Sequence, residues 1–138
     1  MSKLGLQKTE RVRSQKVIDT LFGKTSKALM AYGFRFSWVW LEPNAAHCSV
    51  LFVCSKKKLK TAVERNRRKR LLRELYRINK TPLLDYLKAE NHYIALSLNY
   101  TGANQLSLNL HTANFIKALN KLNIELKKNN TVSIHPAN

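Results

Sequence analysis

Arg65, Arg67, Arg68, Lys69, Arg70, Arg73 and Arg77 crowd into one stretch, KTAVERNRRKRLLRELYR at 60–77. Guanidinium groups at that density are suited above all to binding phosphates. Arg stays charged, meets a phosphate with a rigid fork of donors, and stacks on bases. Stepped at about 100° per residue, Arg65, Asn66, Lys69, Arg70, Arg73 and Arg77 fall within about 140° of each other, opposite Leu71, Leu75 and Ile78. The spacing predicts an amphipathic helix with a core stripe and a row of cations. Arg67 and Arg68 sit nearer the apolar edge, where their stems can lie on the core while their heads reach water. A solvated helix face is the plain alternative, and the local charge argues against it. Residues 56–80 hold twelve Lys and Arg against only Glu64 and Glu74, whereas ordinary exposed helices intersperse acids for i,i+4 support. The like-charged steps Arg65–Lys69 and Lys69–Arg73 are mildly unfavourable on an isolated helix. A face with only a structural role has no use for them. KKKLK at 56–60, including Lys56 and Lys57, places more cations just before the helix.

Other reactive side chains are arranged for no chemistry. His47, His92, His111 and His135 are isolated in sequence; no His-x-x-x-His or Cys-x-x-Cys spacing and no Gly-rich phosphate loop is present. The expectation is no protein catalytic residue and no metal site in the protein. Cys48 and Cys54 lie in CSVLFVCS, where their even separation puts both on one face of a regular strand. Six extended residues span about 20 Å, so the two cannot bridge within that strand and read as buried, reduced thiols.

The elements that must position the basic helix follow from composition and periodicity. A formal charge of +17 over 138 residues, with 44% hydrophobic residues, describes a folded protein that needs a polyanion. No apolar run approaches the length of a membrane span and no apolar signal segment follows the first lysine, which predicts a soluble cytoplasmic protein with a nucleic-acid partner rather than a membrane. One domain over 1–138 is expected, with a basic segment 1–13 and a tail 129–138 loosely ordered. Ser14 suits the N-cap of a helix carrying Val17, Ile18, Leu21 and Phe22, with Gly23 as its stop. GFRFSWVWL at 33–41 alternates Phe34, Phe36, Trp38 and Trp40 against Arg35, Ser37, Val39 and Leu41. With turn residues EPNAAH and a second strand at CSVLFVC, an antiparallel hairpin over 33–54 is expected. Pro82 ends the basic helix and suits the first turn of a short second one. HYIALSLNY reads as a third strand, and Phe115, Leu119, Leu122 and Leu126 mark a closing helix. Helices over a small sheet make an α+β, two-layer sandwich.

CSKKKLKTAVERNRRKRLLRELYR at 54–77 resembles the signature of the bacterial ribonuclease P protein family. Ser55, Lys56, Lys57, Ala62, Val63, Arg65, Asn66, Arg67, Lys69, Arg70, Arg73 and Glu74 match by position, and the likeness extends over most of residues 8–128. The resemblance implies a small mixed sheet with a left-handed crossover into the basic helix. It also implies a protein subunit that helps a ribozyme RNA remove the 5′ leader of precursor tRNA, an endonuclease whose chemistry belongs to RNA. Magnesium is then required by the holoenzyme and held mainly by RNA. The implied partners are ribonuclease P RNA and precursor tRNA, with no obligate protein partner. Lys56, Lys57, Arg65, Asn66, Arg67, Lys69, Arg70, Arg73 and Arg77 are the expected ribozyme contacts. A cleft between the first helix and the sheet would take the leader, with Val17, Ile18, Leu21, Phe22, Phe34, Phe36 and Trp38 as candidates. The loop before Ala62 lacks the family's usual Gly and is one residue longer.

A structural RNA-binding protein, such as a ribosomal protein, is the alternative from another class. A leucine-zipper DNA-binding region is excluded because the leucines do not continue as heptads and Pro82 breaks any long coiled coil.

Overall fold

The computed structural model describes residues 6–24, 26–54, 60–102, 106–128 and 134–136. The Ser14 hydroxyl accepts from the Val17 amide at 3.4 Å and opens α1 (Gln15–Leu21), which ends at Phe22 beside the expected Gly23. β1 (Lys27–Ala31) and β2 (Phe34–Leu41) form a hairpin through a two-residue loop, Tyr32–Gly33. Both loop residues have positive φ, 53° and 85°, as a type I′ turn requires. β1 is absent from the sequence reading because KALMA lacks β-branched and aromatic residues.

β3 (Cys48–Phe52) leads to α2 (Ala62–Asn79) and α3 (Thr81–Glu90), followed by β4 (Tyr93–Tyr100), α4 (Leu108–Lys128) and β5 (Ile134–His135). Thr61 caps α2: its hydroxyl accepts from the Glu64 amide at 3.1 Å and donates to the Glu64 carboxylate at 2.8 Å. Pro82 sits in the first turn of α3, where its missing N–H costs nothing, and Asn91 ends that helix in the left-handed region.

The strand order is β1-β2-β4-β3, with β5 pairing β2 in parallel at Trp40 and Leu41. The expected hairpin between β2 and β3 is therefore corrected. β4 lies between them, antiparallel to β2 and parallel to β3. The reason is burial: residues 94–98 of β4 are buried on both faces, the pattern of a central strand. A strand that apolar on both sides takes the middle, and β2 and β3 flank it.

The sheet has two unequal sides. On one, Phe34, Phe36, Trp38 and Trp40 pack with Leu72, Leu75 and Tyr76 of α2, Leu83 and Leu87 of α3, and Phe115, Leu119, Leu122 and Leu126 of α4. On the other, Val17 and Leu21 of α1 join Val12, Val39, Leu41 and Ala95. This is the mixed α+β architecture that the periodicities predict.

Residues 6–13 make defined contacts with the rest of the fold. Lys8–Glu10 form a 3-10 turn, the Val12 amide donates to the Val50 carbonyl at 3.1 Å, and Glu10 pairs with the buried Lys80 at 2.7 Å. Val12, itself buried, ties this segment to the α1 side. In the tail, residues 134–135 hydrogen-bond to β2, because β1 stops opposite Trp38 and leaves the last part of that edge open.

Candidate nucleic-acid interface

Leu72, Leu75 and Tyr76, at i, i+3 and i+4, fix which way α2 faces. The apolar stripe differs from the expected one: Tyr76 is buried and Ile78 turns outward at 46% exposure. Counting only aliphatics hides Tyr76, whose ring does the work of a core residue. The outward face accordingly centres on Asn66, Arg67 and Arg70, all exposed, while Arg65, Lys69, Arg73 and Arg77 are half-buried along its flanks.

Individual cations differ in what holds them. Arg68 lies inward, its Nη1 donating to the Tyr100 carbonyl at 3.3 Å and its guanidinium 5.1 Å from the Tyr100 ring centroid. Arg77 donates through Nε and Nη2 to the two carboxylate oxygens of Glu74, at 2.6 and 3.0 Å. That hydrogen-bonded fork holds the Glu74 carboxyl below its ordinary range and raises Arg77. Arg73 Nε is buried with no hydrogen-bond partner among the described residues. Lys56 and Lys57 lie outside the described residues. The structure thus gathers Arg65, Asn66, Arg67, Lys69, Arg70 and Arg73 on one surface, with Arg77 partly neutralised at its end.

The expected leader residues divide differently. Phe34, Phe36 and Trp38 are at most 1% exposed and face α4, where Phe115 meets Phe34 and Phe36 at centroid distances of 5.0 and 6.4 Å. They are core residues on the side away from α1, so they form no platform in a cleft beside it. Val17 and Leu21 are also buried, as the residues that glue α1 to the sheet. Ile18 is half-buried and Phe22 is 58% exposed, which leaves these two accessible.

α1 covers only part of its side of the sheet. Beyond it runs the paired row Met30, Arg35 and Asn99, with Val53 just past β3, its amide donating to the Leu98 carbonyl at 2.9 Å. Beside that row the Ser37 and Ser97 hydroxyls hydrogen-bond across the strands. Met30 and Arg35 are exposed, and Asn99 and Val53 half-buried. The sequence reading did not include these residues in the cleft, although the alternation already set Arg35 opposite the aromatics.

Cys48, Cys54, His47, His92 and His111 all make contacts within the fold. Burial pushes the Cys48 thiol up to about 12 from 9.0, and burial also raises Cys54 despite nearby Arg68, Lys69 and Arg65. Cys54 lies just past β3, its thiol donating to the Arg65 carbonyl at 3.6 Å. A raised thiol pKa stabilises the fold below the unfolded value and loses that contribution as pH climbs toward the folded one. Stability is therefore expected to fall as pH rises from 9 toward about 12. Urea melts on either side of pH 9 check this, and Cys48→Ala should flatten the dependence. His111 Nε2 meets the Tyr100 hydroxyl at 3.0 Å, and His47 Nδ1 meets the His92 carbonyl at 2.9 Å. Among the described residues, no three His, Cys, Asp or Glu side chains gather where they could hold a metal, and no helix is long and apolar enough to cross a membrane.

The model of the ribonuclease P family matches residues 6–123, from the N-terminal turn through most of α4. The chain belongs to the ribonuclease P protein family. Ribonuclease P protein components from two strains of Porphyromonas gingivalis are 40% and 39% identical to it over 94 residues, covering 67% of this chain and 68% of each relative. A solved structure of the Staphylococcus aureus RNase P protein matches with a TM-score of 0.55 at 19% identity, over 88% of this chain and 97% of that one. That likeness establishes the shared fold. Membership of the ribonuclease P family places the chain in tRNA processing, as part of an endoribonuclease holoenzyme with an RNA partner.

Proposed function

We propose that this chain binds the ribozyme RNA of ribonuclease P through the outward face of α2 and receives the single-stranded 5′ leader of precursor tRNA beside α1. The observation that carries the first half is the cation-rich face of α2, whose one acid on the Arg77 side, Glu74, is already paired. The second half rests on the open row Met30, Arg35, Asn99 and Val53, on the same side of the sheet as α1 with its half-buried Ile18 and the exposed Phe22 at its end. Apolar and polar groups mixed on a flat, partly covered sheet suit an unstacked strand of any sequence. Phe22 takes the stacking role in this reading, replacing the buried strand aromatics.

The protein supplies affinity and placement, and the bond-breaking chemistry, with its magnesium ions, belongs to the RNA. Arg70→Ala and Arg65→Ala are each expected to weaken binding to ribonuclease P RNA by about 1 kcal/mol or more, the scale of a charge-assisted hydrogen bond. Arg70 is exposed and Arg65 lies on the flank of the face, so the fold should survive both changes. Loss of a cooperative melt in either variant would instead assign that residue to the core.

The deciding experiment is single-turnover cleavage of labelled precursor tRNA by a bacterial ribonuclease P RNA at low magnesium, with and without the protein. Acceleration at the correct 5′ site supports the subunit role. Tight RNA binding without acceleration would favour a structural RNA-binding protein. Stronger holoenzyme binding to precursor than to mature tRNA tests the leader half separately.

A further inference from the structure

Tyr32 is the first residue of the β1–β2 turn and is 45% exposed at φ 53°. A type I′ turn favours Asn, Asp or Gly at that position, and a bulky aromatic there is strained. The ring buries too little surface to explain its presence by packing alone. Two lysines of α4 stand over it, with Lys117 Nζ 5.7 Å and Lys121 Nζ 5.5 Å from the ring centroid. Both lysines are exposed, and their i,i+4 spacing sets like charges side by side. A half-exposed aromatic ring with two cations beside it combines what recognises a base with what recognises its phosphates.

This cluster adjoins the basic helix. Gly33, the other turn residue, lies so close to Tyr100 that a Cβ there would sit 3.2 Å from the ring. Arg68 of α2 stacks over the same Tyr100 ring. The chain of contacts from Arg68, on the inward side of α2, through Tyr100 to the hairpin tip thus joins the basic helix to the turn beneath Lys117 and Lys121 at one end of the sheet.

We propose that Tyr32 is a stacking platform for one unpaired nucleotide of RNA, with Lys117 and Lys121 taking its flanking phosphates. The site lies on the helix-covered side of the sheet, away from the open row beside α1, and extends the α2 surface across α4. It rests on the RNA-binding reading above. The occupant is RNA rather than an acidic protein segment because carboxylates would engage the lysines and leave the ring unused. No base preference is built in, since every base offers a π-face.

The test uses the full chain and a bacterial ribonuclease P RNA as probe, with binding read by fluorescence anisotropy. Tyr32→Asn is the informative variant: Asn-Gly is a favoured type I′ pair, so the fold should be at least as stable while the platform is gone. The expected result is a loss of roughly five- to a hundredfold in affinity. Tyr32→Phe, which keeps the ring, should bind as the parent does. Lys117→Ala and Lys121→Ala should each reduce the slope of log affinity against log salt by about one. Parental affinity in Tyr32→Asn, beside weakened binding in Arg70→Ala, would overturn the platform and leave the α2 interface standing. Equal losses in Tyr32→Phe and Tyr32→Asn would replace stacking by a hydroxyl contact and overturn it too. No loss in any of these variants would overturn the α2 interface as well.

Discussion

Glu10→Ala is expected to lower the free energy of unfolding by about 3–5 kcal/mol, the range for breaking a buried ion pair. Burial decides between that value and the about 0–1 kcal/mol typical of a surface pair. The Lys80 and Glu10 side chains are only 3% and 13% exposed, with Nζ and Oε2 2.7 Å apart. Removing the carboxylate strips Lys80, at the junction of α2 and α3, of its anionic partner. It also frees the 3-10 turn, since the other Glu10 oxygen accepts from the Gln7 amide at 3.2 Å. Urea melts of the single variant and of Glu10→Leu with Lys80→Met give the measurement. The apolar pair should recover much of the loss, because what is costly is the charge left behind rather than the absence of a bridge. A single-variant loss of only about 1 kcal/mol would place the pair among surface bridges.

RNA affinity is expected to fall by at least about a thousandfold between about 50 and 200 mM salt, since α2 alone can neutralise about six phosphates and Lys117 and Lys121 would add to that. α2 carries seven Lys and Arg. Arg68 is committed to Tyr100, which leaves six for phosphates, with Arg77 shared with Glu74. Titrating binding to ribonuclease P RNA across that range gives the slope. A slope near two would mean that most of the α2 cations do not touch phosphate. Arg77→Ala should change the slope least, since its charge is already met within the helix. The measurement thus reads the orientation of α2 as well as its charge.

The basic helix was legible because charge and apolar period coincide over 18 residues. Its rotation was less so, since Tyr76 behaves as a core residue and Ile78 does not. The alternation over Phe34–Leu41 gave the strand and its two faces. It could not say which face α1 covers, because Val39 and Leu41 on the second face are apolar too. The resemblance therefore offered Phe34, Phe36 and Trp38 for the cleft with nothing in the alternation to oppose it, and their burial on the α4 side forbids them. The order of strands lies beyond local pattern: nothing within 33–54 announces that residues 93–100 will come between its two halves. Tyr32 was invisible for a related reason, since Lys117 and Lys121 reach it only through the packing of α4 on β1.

The central position of β4 also sets the order in which the molecule can be completed. β2 and β3 have no ladder with each other, and both await a strand made after α2 and α3. As the chain leaves a ribosome, the cationic helix is therefore synthesised before the floor it packs on is closed. Leu72, Leu75 and Tyr76 stay without their final neighbours until residues 93–100 insert and α4 follows. Assembly must wait for these long-range contacts, a topology that folds slowly relative to helical bundles. A nascent chain stopped before β4 would carry all of the positive charge of α2 but, of the sheet that orients it, only the β1–β2 hairpin and β3, without the strand that joins them.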